Sequence, residues 1–456
     1  MRARAVCLLC AAALLVTVSA AWAFSATAAA ADAPKTVHVC PSGCDYNSVN
    51  AAVNDSSVRP HDTVVVAPGT YTEQVNFAKD ITVEGEPGQP RPLITWAADG
   101  ATTLTASRVS AVGATVKHLD IEATGSGGTA VQLYATLLDS KVSGDTALSL
   151  GTNGVARRDI INGGSYGVAT IGGAVADSVV TSSAAGGRAV FVDSSFGDFV
   201  SYWLFLRNVT AIASGSDSKG LEANYFYGPH YYPGQGGLID ARNVIARGVA
   251  ADVGGDWPPY CPQGTNCRPG TVQIGYSNFR TVAGNVDMTP GHNQWTWADP
   301  LLVNAVVGAG QDFHETCASP TIDAGTPDRR NGPTDLDGRP RRLGPAPDIG
   351  AYERTRRRPL ALTSGTTEVS SAAATLHGTV HPRGCPTRYH FQFGRDGFGF
   401  PKRTAVASAG RGPTAVAVSA RLTGLVPGAV YRYRLVATNA AGTRVGAARS
   451  FTTPPA

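Results

Sequence analysis

Apolar residues, most of them β-branched, return along the middle of the chain about every twenty residues. Ile121, Val142, Ile161 and Val180 step by 21, 19 and 19, and Val131, Leu148, Val168 and Val190 step by 17, 20 and 22. Short fragments echo with them: "DSKVS" at 139 and "DSVVTS" at 177 lie 38 residues apart, and "RNV" recurs at 207 and 242. Glycine-rich turns ("TGSGGT", "NGGSYG", "SAAGGR") separate the two series. A unit this short cannot bury a core alone, so the period calls for stacking. No Leu-x-x-Leu-x-Leu pattern supports a leucine-rich repeat. The segments are too short for helices and rich in β-branched residues, which predicts a parallel β-helix. Beyond about residue 210 the units lengthen, so loops must protrude from one side.

A stack of strands exposes an unpaired edge at each end and needs a cover. Residues 45 to 54, "DYNSVNAAVN", offer one: Asp45 is the expected N-cap, with Tyr46, Val49 and Val53 on one helical face. The chain begins with Arg2 and Arg4, a long apolar run and the small-residue stretch "SATAAAADAP", the pattern of a secretion signal over residues 1–31. Of the eight cysteines, Cys7 and Cys10 would leave with it, and six suit an oxidising compartment. Cys40 and Cys44, and Cys261 and Cys267, are spaced to close small local loops. Cys317 and Cys385 are either bonded to each other or free.

Charged residues make up only 16% of the chain, and the net charge of +4 hides a partition. From Arg354 to the end, 14 Arg and one Lys stand against Glu368 and Asp396, giving +13. Without Arg2 and Arg4 the remainder is +2, so residues 32–353 carry −11. The two halves either attract one another or the basic half meets an external polyanion.

The stretch "CDYNSVNAAV", "DTVVVAPGTYTEQVNF", "DITVEG" resembles the start of secreted right-handed parallel β-helix proteins of the pectate-lyase-like superfamily. "DPLLVN", "DFHETCASPTIDAGTPD" and "TDLDGRPRRLGPAPDIGAYE" are similar to the segment, called choice-of-anchor Q, that ends many bacterial β-helix proteins. The two matches bracket residues 36–353 and imply fold and secretion. An Arg-rich linker is expected over 354–362, then a sandwich over 363–453. There, Tyr389, Phe391 and Phe393 alternate with Arg388, His390 and Gln392, and Tyr431, Tyr433, Leu435 and Ala437 alternate with arginines, the period of half-buried strands. "LTGLVPGAVYRYRLVATNAAG" resembles the late strands of fibronectin type III domains, which implies a tyrosine corner at Tyr431. The expected fold is therefore all-β, a right-handed parallel β-helix followed by a β-sandwich.

Polysaccharide lyases need a base and charge neutralisation, commonly by calcium, and hydrolases need acidic pairs. The family signatures of either are not visible, and "PGHNQW" lacks the second glycine of a Gly-His-Gly. Asp120 and Lys141 fall at equivalent places on neighbouring units, the remaining candidates for a catalytic carboxylate and base or for an inter-rung salt bridge. Asp335 and Asp337, ahead of Gly338, look like a fragment of a calcium loop or a structural turn; Asp348 and Glu353 belong to the same closing cap. Interruptions of the repeat gather rings: Tyr225, Phe226, Tyr227, Tyr231 and Tyr232, then Trp257 and Tyr260, then Trp295 and Trp297. On loops these would stack against sugar faces or pack together as anchors. Arg388, His390, Arg432 and Arg434 would form a cationic stripe for a polyanion or a plain solvated surface. The expected role is binding of extracellular polysaccharide or cell-wall polymer by a secreted monomer, without nucleic acid. A lyase or hydrolase with unrecognised catalytic residues, calcium-assisted if so, and a structural adhesin or spacer are the alternatives.

Overall fold

The computed structural model describes residues 33–107, 113–194, 203–229, 236–260, 265–289, 291–295 and 298–456. The signal region, Tyr231, Tyr232, Cys261 and Trp297 lie outside them. Pro34–Ala456 forms one compact unit.

Residues up to 295 wind into a right-handed parallel β-helix with three faces, the hand that parallel crossovers take. The first face stacks eleven strands from Thr36–Val39 to Val286–Asp287. The second runs from Thr70–Thr72 to Gln294–Trp295, and the third from Val75–Phe77 to Val282–Gly284. Lys141–Leu150 and Ile160–Thr170 pass unbroken from second to third face and merge the two into one sheet of seventeen. The two apolar series are the inward columns of these faces: Ile121, Val142, Ile161 and Val180 stack on the second, Val131, Leu148, Val168 and Val190 on the third. All eight are buried in one continuous core.

The repeated fragments mark the corner between first and second faces. His118, Asp139, Arg158, Asp177, Asn208, Asn243 and Tyr276 each turn it in the left-handed region, with φ of 51° to 58°. Asp and Asn tolerate this conformation better than other non-glycine residues. So sharp a turn takes the next amide out of the strand ladder, and buried N–H groups need partners. The neighbouring rung supplies them. Leu119 N–H donates to Ser140 Oγ at 3.3 Å, Ser140 N–H to Asp159 Oδ1 at 2.8 Å and Asp159 N–H to Ser178 Oγ at 3.0 Å. Further along, Asn208 Nδ2 donates to Asp177 and Asn243 Nδ2 to Asn208, both at 2.8 Å.

The covering helix is Val49–Asn54, and it buries Val49, Ala52 and Val53 on the first coil. Its N-cap is Ser48, not Asp45: Asp45 instead accepts from the His38 amide at 2.8 Å. Glu73, unremarked in the sequence, accepts from Ser48 Oγ at 2.6 Å and from the Val49 and Asn50 amides at 2.8 and 3.0 Å, a carboxylate at the positive end of the helix.

The closing segment does not cap the far end. It runs as a lateral strap, setting Phe313, Ala351 and Tyr352 on outward-facing Val179 and Ile212 of the second face. Arg207 joins strap and rungs by reaching Asp328 at 2.8 Å and Asp240 at 3.0 Å, and Arg341 pairs Asp177 at 3.1 Å. The strap lies where outward positions are apolar or uncharged rather than where the rungs end.

The sandwich packs a three-stranded sheet on a six-stranded one around Leu376, Phe391, Tyr433 and Leu435. Its first strand is Leu360–Thr367, so the sandwich starts inside the expected linker. The rest of that linker is anchored: Arg354 donates to the carbonyls of Glu315 at 2.6 Å and Gly384 at 3.4 Å, and the Arg357 carbonyl accepts from Asn439 at 3.0 Å. Cys317 and Cys385, left open by the sequence, are bonded to each other and buried, tying the sandwich to the strap. Cys40 and Cys44 are bonded as expected, and Cys267 is in a disulfide.

Asn243 concentrates the corner's requirements, since it also accepts from the Thr326 amide at 2.7 Å and donates to the Thr326 carbonyl at 2.8 Å. Asn243→Ala is expected to destabilise the β-helix by about 3 kcal/mol through unpaired buried groups and the retained left-handed turn, read as a lower denaturant midpoint with unchanged slope.

Candidate carbohydrate-binding groove

The corner between third and first faces changes abruptly along the helix. It is crossed by short turns after Leu150 and after Thr170, by long loops after Val192, Ala223 and Gly255, and by one residue after Gly284. Two of these, on successive rungs, pair with each other: Phe226–Pro229 lies antiparallel to Thr265–Arg268. The loops therefore form a wall at the end of a lower shelf.

On the third-face side of the shelf, outward residues fall into two columns set by the register. Thr129, Thr146, Tyr166, Arg188 and Lys219 stack in one, and Gln132, Ser149, Ala169, Phe191 and Glu222 in the other. Tyr166 and Phe191 are diagonal neighbours with ring centroids 5.3 Å apart. With Gln132, Tyr134, Ser149 and Asp193 they line an open groove of about 580 Å³. Tyr134 lies over Gly151, where any Cβ would collide with its ring. Downstream the groove ends at Glu222, which faces outward yet is buried, held by Arg188 Nε and Lys219 Nζ; Lys219 also reaches Asp256 at 3.0 Å. Burial opposes the Lys219 charge, but Glu222 and Asp256 raise its pKa overall.

Across the corner, Thr152, Asn153, Gly172, Trp203 and Phe205 border a second hollow of about 570 Å³. Trp203 is 43% exposed, and the Arg330 guanidinium of the strap sits 4.1 Å over the Phe205 ring.

The residues expected from sequence are distributed unevenly about this site. Half-buried Tyr225 and exposed Trp257 and Tyr260 belong to the wall, as does the strand carrying Tyr227. Trp295 is carried by Gln294–Trp295, a strand that pairs with Asn278–Phe279 on the second face. Asp120 and Lys141 also lie on the second face, as direct register partners. Asp120's ion-pair partner is Arg91 at 3.9 Å, and burial raises its pKa against the opposing charges of Arg91 and Lys141. The Tyr166, Phe191, Arg188, Lys219 and Glu222 constellation was missed; its only signal is the outward alternation in "SYGVAT", "GGRAVFVD" and "KGLEA", which means nothing until the register is known.

Asp335 and Asp337 do not fit calcium. Asp335 spends its oxygens on the amides of Arg339 and Glu353, at 2.6 and 2.8 Å, and Asp337 faces His314 and Arg339 at 2.9 and 3.0 Å. Among the described residues no group of three or more His, Cys, Asp or Glu is arranged to hold a metal ion.

No protein-family model matches the chain, and no curated protein matches it. Among solved structures, pectin methylesterase PemA from Erwinia chrysanthemi is 12% identical, covering 55% of this chain and 80% of its own, with a TM-score of 0.36. A pectin methylesterase from Aspergillus niger is 15% identical over 57% and 83%, at 0.32. The sensor domain of the anti-sigma factor RsgI4 in Pseudobacteroides cellulosolvens is 16% identical over 22% of this chain and all of its own, at 0.19. Likeness at this level assigns the chain neither activity nor substrate.

Beneath the strap lies a buried acidic cluster. Glu353 Oε1 accepts from the Asp348 amide at 2.9 Å and from Arg341 at 3.3 Å, while neither carboxylate oxygen of Glu315 has a hydrogen-bond partner among the described residues. Burial pushes Asp348 up to about 7, burial and then Asp348 push Glu353 up to about 8, and burial and then Asp348 push Glu315 well above the carboxylate range. A proton held more tightly in the folded state stabilises it below the unfolded pKa, and the contribution disappears as pH rises through the folded one. The protein is therefore expected to lose thermal stability steadily between about pH 4 and pH 8. Glu353→Gln should flatten that slope in a melting-temperature series.

Proposed function

We propose that this chain is a secreted, extracellular polysaccharide-binding protein whose β-helix holds neutral sugar faces in the third-face groove. The observation that carries the reading is the Tyr166–Phe191 pair, set in an open groove beside Gln132 and Ser149. Rings supply apolar area to the flat side of a sugar, and the amide and hydroxyl supply direction. Trp203, Tyr225 and Trp257 extend the aromatic surface across the corner; Tyr227, Tyr231, Tyr232 and Trp297 are assigned to the same purpose from sequence alone. The signal sequence and the disulfides Cys40–Cys44 and Cys317–Cys385 support an oxidising destination, and among the described residues no helix is long and apolar enough to cross a membrane. The sandwich is read as fibronectin type III-like, supported by the Val426 amide donating to Tyr431 Oη at 3.0 Å, the bond of a tyrosine corner. The closing strap is read as choice-of-anchor Q-like on its sequence.

An enzymatic reading has one observation in its favour, the register pairing of Asp120 with Lys141 beside an open hollow of about 670 Å³ on the second face. On the third face, Glu222 is engaged by two cations rather than turned to a substrate, which favours binding there.

Tyr166→Ala and Phe191→Ala are each expected to weaken binding of neutral oligosaccharides by about tenfold, or about 1.4 kcal/mol, with melting temperature nearly unchanged. Polymer length after incubation should stay constant. Shortened polymer, with loss of shortening in Lys141→Ala, would replace this reading by the enzymatic one.

A further inference from the structure

The charge of +13 beyond Arg354 is not spent on the acidic body. Among the described residues every ion pair of the sandwich is internal: Arg421 with Glu368 at 2.9 Å and Arg432 with Asp396 at 3.9 Å, both exposed. The anchored Arg354 and Arg356 donate to backbone carbonyls and act on the body's Asp312 and Asp323 through their charge, without an ion pair among the described residues. The electrostatic attraction of the two halves is therefore not realised in direct pairs, and the basic field stays open to solvent.

The register sharpens where that field is usable. Arg388 and His390 share the outer face of the six-stranded sheet with Arg432 and Arg434, through the pairings Arg388 with Thr438, His390 with Val436 and Gln392 with Arg434. The four are not equivalent. Arg434 is bound to Gln392 Oε1 at 2.8 Å and stacked 4.3 Å over the Phe400 ring. His390 has its pKa lowered, by burial and then by Arg403, which disfavours its positive charge. The Arg388 guanidinium makes no hydrogen bond or ion pair with any described residue, and exposed Arg403, opposite Gln392, has no side-chain partner among them either. Arg388 opens into a hollow of about 700 Å³ with His390, Ser408, Thr438, Asn439 and Ala318 of the strap. The neighbouring Cys317–Cys385 bond fixes the two walls of this hollow.

We infer that this junction hollow and the adjoining sheet face bind a carboxylated polysaccharide, with Arg388 and Arg403 as the ligands for its carboxylates and Ser408 and Thr438 for its hydroxyls. A guanidinium presents a planar fork that matches a carboxylate, and both forks here are unoccupied. Neighbouring strands about 4.8 Å apart and alternate residues about 6.8 Å apart present these donors as a lattice suited to a repeating anion. This site is separate from the third-face groove.

The test is binding of the full chain to polygalacturonate, with neutral dextran and dextran sulfate as the other arms, at low and high salt. The expected result is salt-sensitive binding of polygalacturonate that survives Tyr166→Ala and falls at least about tenfold in Arg388→Gln/Arg403→Gln. Arg421→Gln, on the opposite sheet, should change it less than about twofold. Binding of dextran sulfate alone would overturn the carboxylate assignment. Equal loss in Arg421→Gln, or no binding of either anionic polymer, would overturn the site.

Discussion

The buried amide at the corner between first and second faces is what the rest of the molecule depends on. From His118 onward each rung turns there through one left-handed residue, and the amide that follows has no strand to join. Because the next rung's Ser, Asp or Asn side chain supplies the missing acceptor, a rung is satisfied only when its neighbour is in register. That requirement fixes the stacking, and the stacking fixes which outward residues become neighbours. Tyr166 meets Phe191, and Arg188 and Lys219 meet Glu222, only because rungs of 22 and 31 residues were brought to a common register at this corner.

The same register leaves the second face with outward Val179, Ile212 and Ile245, which water would solvate poorly, and the strap covers them. Covering them brings Glu315, Asp348 and Glu353 together under Tyr352 and Arg341, with fewer cations than carboxylates. Glu353 pairs with Arg341, and burial raises the proton affinity of all three acids. The strap also carries Cys317, so the sandwich is fastened to the side of the β-helix through the element that seals it. Its basic face then adjoins the helix without being neutralised by it.

Much of the fold was legible because it is written in local repetition. The steps near twenty between Ile121 and Val180 are rung lengths, "DS" and "RN" are the corner, and the alternation in "RYHFQFG" is the sandwich sheet. The strap's lateral course was not legible, since it is decided by contacts between Phe313 or Tyr352 and residues more than a hundred positions earlier. The Asp45 expectation failed for a related reason: the helix is capped by Ser48 with help from Glu73, two rung elements away in the chain. The aromatic loops drew attention because their rings cluster in sequence, and the structure places only part of them at the groove. The groove's own rings, Tyr166 and Phe191, are 25 residues apart and ordinary in context. Arg388 and Arg432 could be put on one sheet face from alternation. That Arg434 is tied to Gln392 and Phe400, and that Arg403 joins the set, required the tertiary pairing.

The most direct measurement is a structure of the protein with a neutral oligosaccharide bound. The account predicts a sugar ring lying over Tyr166 and Phe191, with hydroxyls within hydrogen-bond distance of Gln132 or Ser149. Sugar seated instead on the second face beside Asp120 and Lys141, with the third-face groove empty, would contradict it.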